Sequence, residues 1–313
     1  MLDKKRFLPE FRRIVDTLPK MDTSVPVELI RQVPLPSGLS NPPLVDFWDE
    51  TFNNGDTRLR MRFYRSKENL DKNPGLLYWT HGGGMSIGTP EMDDGMFERF
   101  ATEAGLIIAS IEYRLAPEHP YPIPLEDCYT GLVWLANNAK RLGFDENQIA
   151  IGGASAGGNL AISTALMARD KGGPNIFFQM PLCPMLNYKN NAPANEEFTE
   201  DAIPFSWNRE ANAFAWNQYL GNLERDKVPY YASPALAEDL RGLPKTYIAV
   251  GELDVFRDEN LDFVMRLCQA AVDVEFHLYH GVFHGFEQYG LPSTKKVIDE
   301  YVRVLKEAFA EGQ

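Results

Sequence analysis

The chain has 313 residues, of which 44% are hydrophobic and 24% charged. This composition suits one large globular domain with an attached lid, and it excludes a disordered chain, a collagen-like repeat and a small disulfide-bonded fold. Its 31 basic and 44 acidic residues give a net charge of −13. A protein of this charge repels phosphate backbones and anionic lipids, so we expect no nucleic-acid partner.

The three cysteines, Cys128, Cys183 and Cys268, lie far apart and form no C-x-x-C pair. Such spacing predicts buried, reduced thiols rather than a disulfide framework or a metal site. The sequence contains neither the apolar core of a signal peptide nor an apolar run long enough to span a bilayer. These features predict a cytoplasmic protein that does not associate with membranes.

Short apolar runs alternate with longer helical patterns along most of the chain. Because strands that alternate with helices form right-handed crossovers, this order predicts an α/β fold with a mostly parallel sheet flanked by helices. The predicted strands are Leu59–Tyr64, Gly75–Thr80, Leu106–Tyr113, Gln148–Gly152, Ile176–Met180, Lys245–Val250 and Val274–Tyr279. The predicted helices are Met92–Ala104, Asp127–Leu142, Ser155–Asp170, Asn260–Ala271 and Thr294–Ala310.

Two segments do not fit the alternation. Residues 1–50 are polar and rich in proline, with one helical pattern around Phe7–Leu18, and residues 184–235 are rich in aromatic side chains without a clear strand. An insert of this length between two strands is too long for an ordinary connection. It is either surface decoration or a lid over the carboxyl edge of the sheet, and its aromatic content favours the lid.

Residues Gly153–Gly157 have the pattern G-x-S-x-G between a predicted strand and a predicted helix. This context is typical of a nucleophile elbow, a sharp turn that presents a serine at a helix N-terminus. Side chains two positions before and after Ser155 would collide where the strand and the helix cross, which explains the glycines. A phosphate-binding loop would require a Gly-Lys-Ser/Thr ending, which is absent. Ser155 is therefore the candidate nucleophile.

Three glycines follow His81 directly after the predicted strand Gly75–Thr80. Consecutive glycines allow the backbone to approach a ligand and to direct N–H groups at one point, where they stabilise the oxyanion of a tetrahedral intermediate. We predict that the N–H groups of Gly83 and Gly84, together with that of Ala156, form such an oxyanion hole. The glycine spacing does not match a dinucleotide-binding fingerprint.

A serine hydroxyl becomes a good nucleophile only when a neighbouring base takes its proton and an acid orients that base. His284 follows the last predicted strand, and Asp254 follows the strand before it, so both lie at the same sheet edge as Ser155. His280 is the competing base, and Asp258 is the competing acid. A cluster of acids after a strand is otherwise a solvated loop, which is the expected state of Asp258 and Glu259.

The other histidines have simpler interpretations. His81 belongs to the glycine loop and His119 to a proline-flanked turn, so both are expected to be structural. His277 and His280 are three residues apart on a strand and face opposite sides, so they cannot share a metal ion. We therefore expect no metal site.

These motifs together resemble the hormone-sensitive lipase family of α/β-hydrolase esterases, over about residues 75–286. The resemblance implies an eight-stranded α/β-hydrolase fold, a catalytic domain of residues 51–183 and 236–313, and a helical cap of residues 1–50 and 184–235. It also implies hydrolysis of small carboxylic esters without a cofactor, a triad of Ser155, Asp254 and His284, and in many relatives a homodimer. The matching segments are His81–Gly84, Tyr113–Glu118, Gly153–Leu160, Asp254 and His284–Phe286.

Two departures and three alternatives accompany the resemblance. The family commonly has an acidic residue or threonine where this chain has Ala154, and a proline where it has Val255. An amidase or deacetylase could use the same triad, and a long-chain lipase would be expected to expose an apolar surface that this sequence lacks. A non-catalytic receptor of the same fold would have lost the catalytic histidine, whereas His284 is present. The sequence therefore predicts a serine carboxylesterase for short- to medium-chain esters.

Overall fold

The computed structural model describes residues 2–33, 38–41, 43–68 and 73–311. Its centre is one eight-stranded sheet, which confirms the predicted α/β-hydrolase architecture. The strands are β1 (Val45–Asn54), β2 (Thr57–Ser66), β3 (Leu76–Thr80), β4 (Ile107–Glu112), β5 (Ile149–Ala154), β6 (Phe178–Leu182), β7 (Lys245–Leu253) and β8 (Val274–Phe283). The α-helices are α1 (Pro9–Arg12), α2 (Val27–Ile30), α3 (Asp94–Glu103), α4 (Ile123–Leu142), α5 (Ala156–Lys171), α6 (Pro193–Glu197), α7 (Arg209–Leu220), α8 (Arg257–Gln269) and α9 (Pro292–Glu311).

The strand order is β1-β2-β4-β3-β5-β6-β7-β8. Strands β1 and β2 pair antiparallel, as do β2 and β4, and every later pair is parallel. The carboxyl ends of β3, β5, β7 and β8 therefore meet at one edge of the sheet, where open α/β sheets bind their ligands. The loops that follow these four strands carry all of the predicted site residues.

Helices cover both faces of the sheet. Adjacent strand residues point to opposite faces, and on β3 the hydroxyl of Tyr78 donates to the carbonyl of Cys128 on α4. The next residue, Trp79, packs its ring against Phe97 and Phe100 of α3. Helices α4 and α3 consequently lie on opposite faces, with the fully buried strands between them.

Strand β1 is absent from the strands predicted on sequence. It lies at the edge of the sheet and pairs only with β2, so most of its side chains stay partly exposed and its sequence is largely polar. A strand of this kind lacks the apolar run that marks a buried strand. Because β1 begins at Val45, the last residues of segment 1–50 belong to the sheet and not to the cap.

Strand β8 extends beyond its predicted end at Tyr279. Its last residues, Val282 and Phe283, are buried, and Leu253 of β7 pairs with Phe283 across a register shift. The exposed His280 and the glycine at 281 separate this apolar ending from the first part of the strand, so the sequence pattern does not reveal it. The extension places His284 at the strand's carboxyl end.

The N-terminal segment and the insert pack against each other. The amide of Leu2 donates to the carbonyl of Ala202, at 2.8 Å, and that of Met21 donates to Pro204, at 2.7 Å. The rings of Phe7 and Phe205 lie 6.0 Å apart. The N-terminal segment before β1 and the insert therefore form one packed layer.

The cysteines form no disulfide. Cys128 and Cys183 are buried as predicted, but the prediction is wrong for Cys268, which is exposed. On α8 the neighbouring Leu267 faces the core, and the next residue of a helix points about 100° away from it. None of the described helices has the length and apolar character needed to cross a bilayer.

Candidate active site

Ser155 occupies a strained turn between β5 and α5. Its backbone has φ = 59° and ψ = −120°, a conformation that costs a non-glycine residue about 1–3 kcal/mol and is found mainly at functional sites. The turn is anchored to the neighbouring strand β6, because the amide of Ser155 donates to the carbonyl of Leu182, at 2.8 Å. Helix α5 begins at Ala156, so the serine lies at a helix N-terminus.

The two flanking glycines are required by close backbone contacts. A Cβ atom on Gly157 would lie 1.9 Å from the carbonyl oxygen of Thr80, and one on Gly153 would lie 2.5 Å from the carbonyl oxygen of Gly157. Real Cβ atoms do not approach a carbonyl oxygen so closely. Any side chain at these two positions would therefore collide with the backbone, as the sequence pattern predicts. With larger residues there, β5, α5 and β3 could not pack this tightly.

His284 connects the nucleophile to an acid. Its Nε2 lies 3.0 Å from Oγ of Ser155, and its Nδ1 lies 2.8 Å from Oδ2 of Asp254. The amide of Phe256 donates to the other oxygen of Asp254, at 2.9 Å, which fixes the carboxylate. With its proton on Nδ1, the imidazole donates to Asp254 and can accept the hydroxyl proton of Ser155. The structure thus brings the three predicted triad residues together.

The surroundings of His284 set its basicity. Burial lowers the pKa of the imidazole, but the negative charge and hydrogen bond of Asp254 outweigh burial and raise it above its ordinary value, with a smaller contribution from Glu287. The ring of Phe256 meets the imidazole edge-on at 5.1 Å between centroids. Apolar walls around a charge-assisted hydrogen bond keep water away and strengthen it.

Gly83 and Gly84 lie in a left-handed turn beside Ser155. Their φ angles are +106° and +61°, values that favour glycine. The turn is closed by the amides of Ser86 and Ile87, which both donate to the carbonyl of Gly83. Within the described part of the chain, the N–H groups of Gly83 and Gly84 donate to no backbone carbonyl. They are available for a ligand.

The third predicted donor lies at the start of α5. Ala156 is the first residue of this helix, so its N–H group has no acceptor within the helix and adds to the positive end of the helix dipole. A Cβ atom on Gly82 would lie 3.6 Å from Cβ of Ser155, which shows how closely the glycine loop approaches the nucleophile. The site can therefore offer several N–H groups to one oxyanion.

The aromatic part of the insert reaches the same place. A Cβ atom on Gly84 would lie 2.7 Å from the ring of Trp207, and the centroid of that ring lies 6.3 Å from the imidazole of His284. The hydroxyl of Ser206 donates to the carbonyl of His284, at 3.1 Å. Trp207 thus stands between the glycine loop and the imidazole, a position that the composition of the insert indicates only in general terms.

The N-terminal segment also contacts the glycine loop. The guanidinium of Arg31 donates to the carbonyls of Ser86 and Ala116, at 2.8 and 2.7 Å, and pairs with Glu118. One side chain therefore joins α2 to the end of the loop and to the turn after β4. No sequence motif around Arg31 indicates this contact.

The competing residues do not reach Ser155. The side chain of His280 is 78% exposed and its Nδ1 lies 2.5 Å from Glu252. Asp258 pairs with Arg257 and accepts from the amide of Ala194, at 2.7 Å. Asp258 holds α6 against α8, and the expectation of a solvated loop is wrong for it.

The same expectation is wrong for Glu259. It is only 4% exposed, and it accepts from the amide of Leu186, at 2.6 Å. Burial raises the pKa of its carboxyl to about 8, although hydrogen bonds from Leu186 and Asn187 act in the opposite direction. The residue lies in the first turn of α8, and only its position on the inner face of that helix distinguishes it from a solvated acid.

His81 has a structural role. Its ring stacks on Tyr113 at 4.2 Å between centroids, and the hydroxyl of Tyr113 donates to its carbonyl. Burial lowers the pKa of the imidazole to about 4, so His81 stays neutral near pH 7. Its Nδ1 lies 2.8 Å from the carbonyl oxygen of Gly82, so the imidazole supports the start of the glycine loop.

Two groups of side chains in the described residues have donor atoms close enough for a metal ion. In the first, Asp254 and His284 are bonded to each other beside Cys183. In the second, Arg303 already pairs with both Glu275 and Glu300, next to His277. Because side chains in both groups already bond to each other or to Arg303, we propose no metal ion at either.

Comparison with known proteins decides the family. The family model described as alpha/beta hydrolase fold, Abhydrolase_3, matches residues 77–288, which include the three triad residues and the three predicted oxyanion-hole residues. The chain belongs to this hormone-sensitive-lipase-like α/β-hydrolase family. Its match to carboxylesterase NlhH of Mycobacterium tuberculosis is 33% identical and covers 96% of this chain and 95% of that protein.

Two further members of the family are similar to this chain. Esterase LipI of Mycobacterium tuberculosis is 37% identical over 69% of this chain and 66% of its own length. The solved structure of a bacterial heroin esterase has a TM-score of 0.86 and 33% identity, and the match covers 97% of this chain and 98% of that one. The match to the heroin esterase extends over nearly the whole chain in both sequence and architecture.

Proposed function

We propose that this α/β-hydrolase is a serine carboxylesterase that hydrolyses short- to medium-chain carboxylic esters through an acyl-enzyme on Ser155. The observation that carries the proposal is the chain of hydrogen bonds from Ser155 through His284 to Asp254. The names of the similar proteins, carboxylesterase NlhH, esterase LipI and heroin esterase, support ester hydrolysis as the reaction. Every group the mechanism needs belongs to the chain itself.

The first half of the reaction acylates the serine. His284 takes the proton of the Ser155 hydroxyl through Nε2 while Oγ attacks the ester carbonyl. The negative charge that develops on the carbonyl oxygen is stabilised by the N–H groups of Gly83, Gly84 and Ala156. Asp254 holds the imidazole in the correct tautomer and stabilises its protonated form. The imidazolium then gives its proton to the departing alcohol.

The second half repeats these steps with water. His284 takes a proton from a water molecule, which attacks the acyl carbonyl of the acyl-enzyme. The same three N–H groups stabilise the second oxyanion, and the imidazolium returns the proton to Oγ of Ser155 as the acid leaves. An amide would require protonation of a poorer leaving group, and no residue of the site favours that substrate over an ester.

The layer made by the N-terminal segment before β1 and by residues 184–235 is proposed to act as the cap of the site. Trp207 supports this role, because its ring packs against Gly84 and lies near His284. Arg31 supports it from the other side through its contacts with the end of the glycine loop. An aromatic wall next to the oxyanion hole favours small acyl groups over long ones.

We also propose a reducing, cytoplasmic location, which the unpaired cysteines support. The homodimer that the family resemblance implies stays a prediction. Light scattering on a size-exclusion column measures the mass in solution, and a value of twice the chain's 35.4 kDa would establish it.

The proposed reaction is tested with p-nitrophenyl acetate, butyrate, octanoate and palmitate, and with the matching anilide. We expect rapid hydrolysis of the short esters by the wild type and none above background by Ser155→Ala. Ser163→Ala is the matched control, since this serine lies on α5 and its hydroxyl donates to Asn159. Preference for the anilide would show an amidase instead.

Covalent labelling tests the acyl-enzyme directly. A fluorophosphonate ester should add one phosphonyl group to the wild type and to Ser163→Ala, but none to Ser155→Ala, as measured by intact mass. Labelling of a different residue, or no Ser155-dependent turnover of any ester, would refute the proposed reaction.

A further inference from the structure

A second carboxyl group lies behind the His284–Asp254 pair. Glu287 is three residues after His284, in a 3₁₀ turn at Phe286–Tyr289. It lines the same small internal gap as Asp254, between the carboxyl ends of β7 and β8 and the helix α9. The gap is too small to hold a water molecule, so water does not screen the two carboxyl groups from each other there.

The partners of Glu287 are unusual for a buried acid. The hydroxyl of Tyr301 on α9 donates to its Oε1, at 3.1 Å. Among the groups that act most strongly on its carboxyl, the one cation is His284, which favours the ionised form. A buried acid is normally paired with a cation or neutralised by protonation. In this site the imidazolium of His284 is the available cation.

Cysteine and tyrosine side chains make up the rest of the titratable groups around the gap. Cys183 follows β6, Tyr279 lies on β8, and both line the gap with Asp254 and Tyr301. Burial raises the pKa of the Cys183 thiol well above its ordinary range, and it raises the pKa of Tyr279 to about 12. Both groups are neutral near pH 7. The charges that His284 experiences from this side therefore come from Asp254 and Glu287.

Burial raises the pKa of the Glu287 carboxyl to about 7. A hydrogen bond from its own backbone amide, the charge of His284 and the Tyr301 hydroxyl lower this pKa, while Asp254 raises it. The pKa of the His284 imidazole is also raised above its ordinary value, in part by Glu287. Groups that interact this closely titrate as a coupled pair, and each favours the charged form of the other when the charges are opposite.

We propose that Glu287 is a second acid of the triad, a positioning residue whose carboxylate stabilises the imidazolium of His284 together with Asp254. This inference rests on the proposed function, because an imidazolium forms only if His284 is the base. Glu287 touches neither the nucleophile nor the substrate. It acts through His284, during both the acylation and the deacylation of Ser155.

The test measures His284 in the resting protein. The imidazole signals are titrated by NMR between pH 5 and 9 in wild type, Glu287→Gln and Glu252→Gln. Glu252→Gln is the matched control, because it removes one negative charge from the same sheet edge but pairs with His280 and the amide of Gly281 on the outer side. Both variants replace a carboxylate by an amide of nearly the same shape.

In Glu287→Gln the pKa of His284 should fall by about 0.5–1 pH unit, and in Glu252→Gln it should stay at the wild-type value. The rate of ester hydrolysis at pH 8 should fall about 3- to 10-fold in Glu287→Gln, since the imidazolium of the transition state is less stable. In the background of Asp254→Asn the same change should remove most of the remaining activity, because Glu287 is then the last acid near His284.

The same titration in Glu287→Gln as in wild type, or an equal shift in Glu252→Gln, would overturn the proposal. If Glu287→Gln does not fold, Tyr301→Phe replaces it, because loss of the hydroxyl disfavours the carboxylate and should lower the pKa of His284 in the same direction. An unchanged titration in Tyr301→Phe would then overturn it. Failure of the proposed function is distinguishable, since it would appear as absent ester turnover in the wild type, whatever the titration shows.

Discussion

Nε2 of His284 lies 3.0 Å from Oγ of Ser155, although 129 residues separate them in the chain. We expect His284→Ala and Ser155→Ala each to lower kcat by roughly a millionfold, and the double variant to lower it no further, because the groups act as a unit. Steady-state hydrolysis of p-nitrophenyl butyrate measures this.

His280→Ala is the control for this pair. Its exposed side chain does not contact Ser155, so its activity should stay within a few fold of wild type. Large losses in His280→Ala with an active His284→Ala would reverse the assignment of the base.

The pH dependence of kcat/KM should follow the ionisation of His284. Catalysis needs the neutral imidazole, and the negative charge of Asp254 raises the pKa of His284 despite burial. Activity is therefore expected to be full at alkaline pH and to fall as the pH drops through a value above 6.5. A rate that is constant between pH 5 and 8 would contradict a histidine base.

Asp254 and Asp258 should differ sharply in their effects. Asp254→Asn leaves His284 with an amide partner that favours the wrong tautomer, and we expect a loss of about 10⁴ in kcat. Asp258→Asn weakens the contact between α6 and α8 and the ion pair with Arg257, both away from Ser155, so its loss should stay below about tenfold. Circular dichroism confirms that both variants are folded before their rates are compared.

Trp207 should limit the size of the acyl group. Trp207→Ala removes the ring between Gly84 and His284, and the ratio of kcat/KM for octanoate over butyrate should rise about tenfold. Trp207→Phe keeps an aromatic wall and should give a smaller change. An unchanged ratio in Trp207→Ala would show that the ring does not line the acyl site.

The glycines of the turn should differ in their effect on stability. In Gly157→Ala the new Cβ would lie 1.9 Å from the carbonyl oxygen of Thr80, and we expect a loss of about 3 kcal/mol or more in the free energy of unfolding. Gly172 has φ = +59° but open space around it, so Gly172→Ala should cost only about 1 kcal/mol. Urea denaturation compares the two, and equal losses would exclude the steric explanation.

The main elements of the fold could be predicted from the sequence. Buried strands such as β3, β5 and β7 are short apolar runs, and their alternation with helices predicts a parallel sheet. The edge strand β1 could not be predicted in this way, because it pairs on one side only and its residues are mostly polar. The end of β8 escaped prediction because Gly281 interrupts the pattern before the buried pair Val282 and Phe283.

The sequence by itself determined the order of the motifs and the sheet edge at which Ser155, Asp254 and His284 lie, since local glycine patterns and strand ends are written in consecutive residues. Their catalytic roles stay predictions until the variants are measured. Only the tertiary structure decided that Glu259 and Glu287 are buried and that Trp207 packs against Gly84. It also decided that the side chain of His280 points away from Ser155. Burial and proximity depend on which distant segments pack together. The identity of an acidic residue therefore does not tell whether its side chain is buried on the inner face of a helix or exposed to solvent.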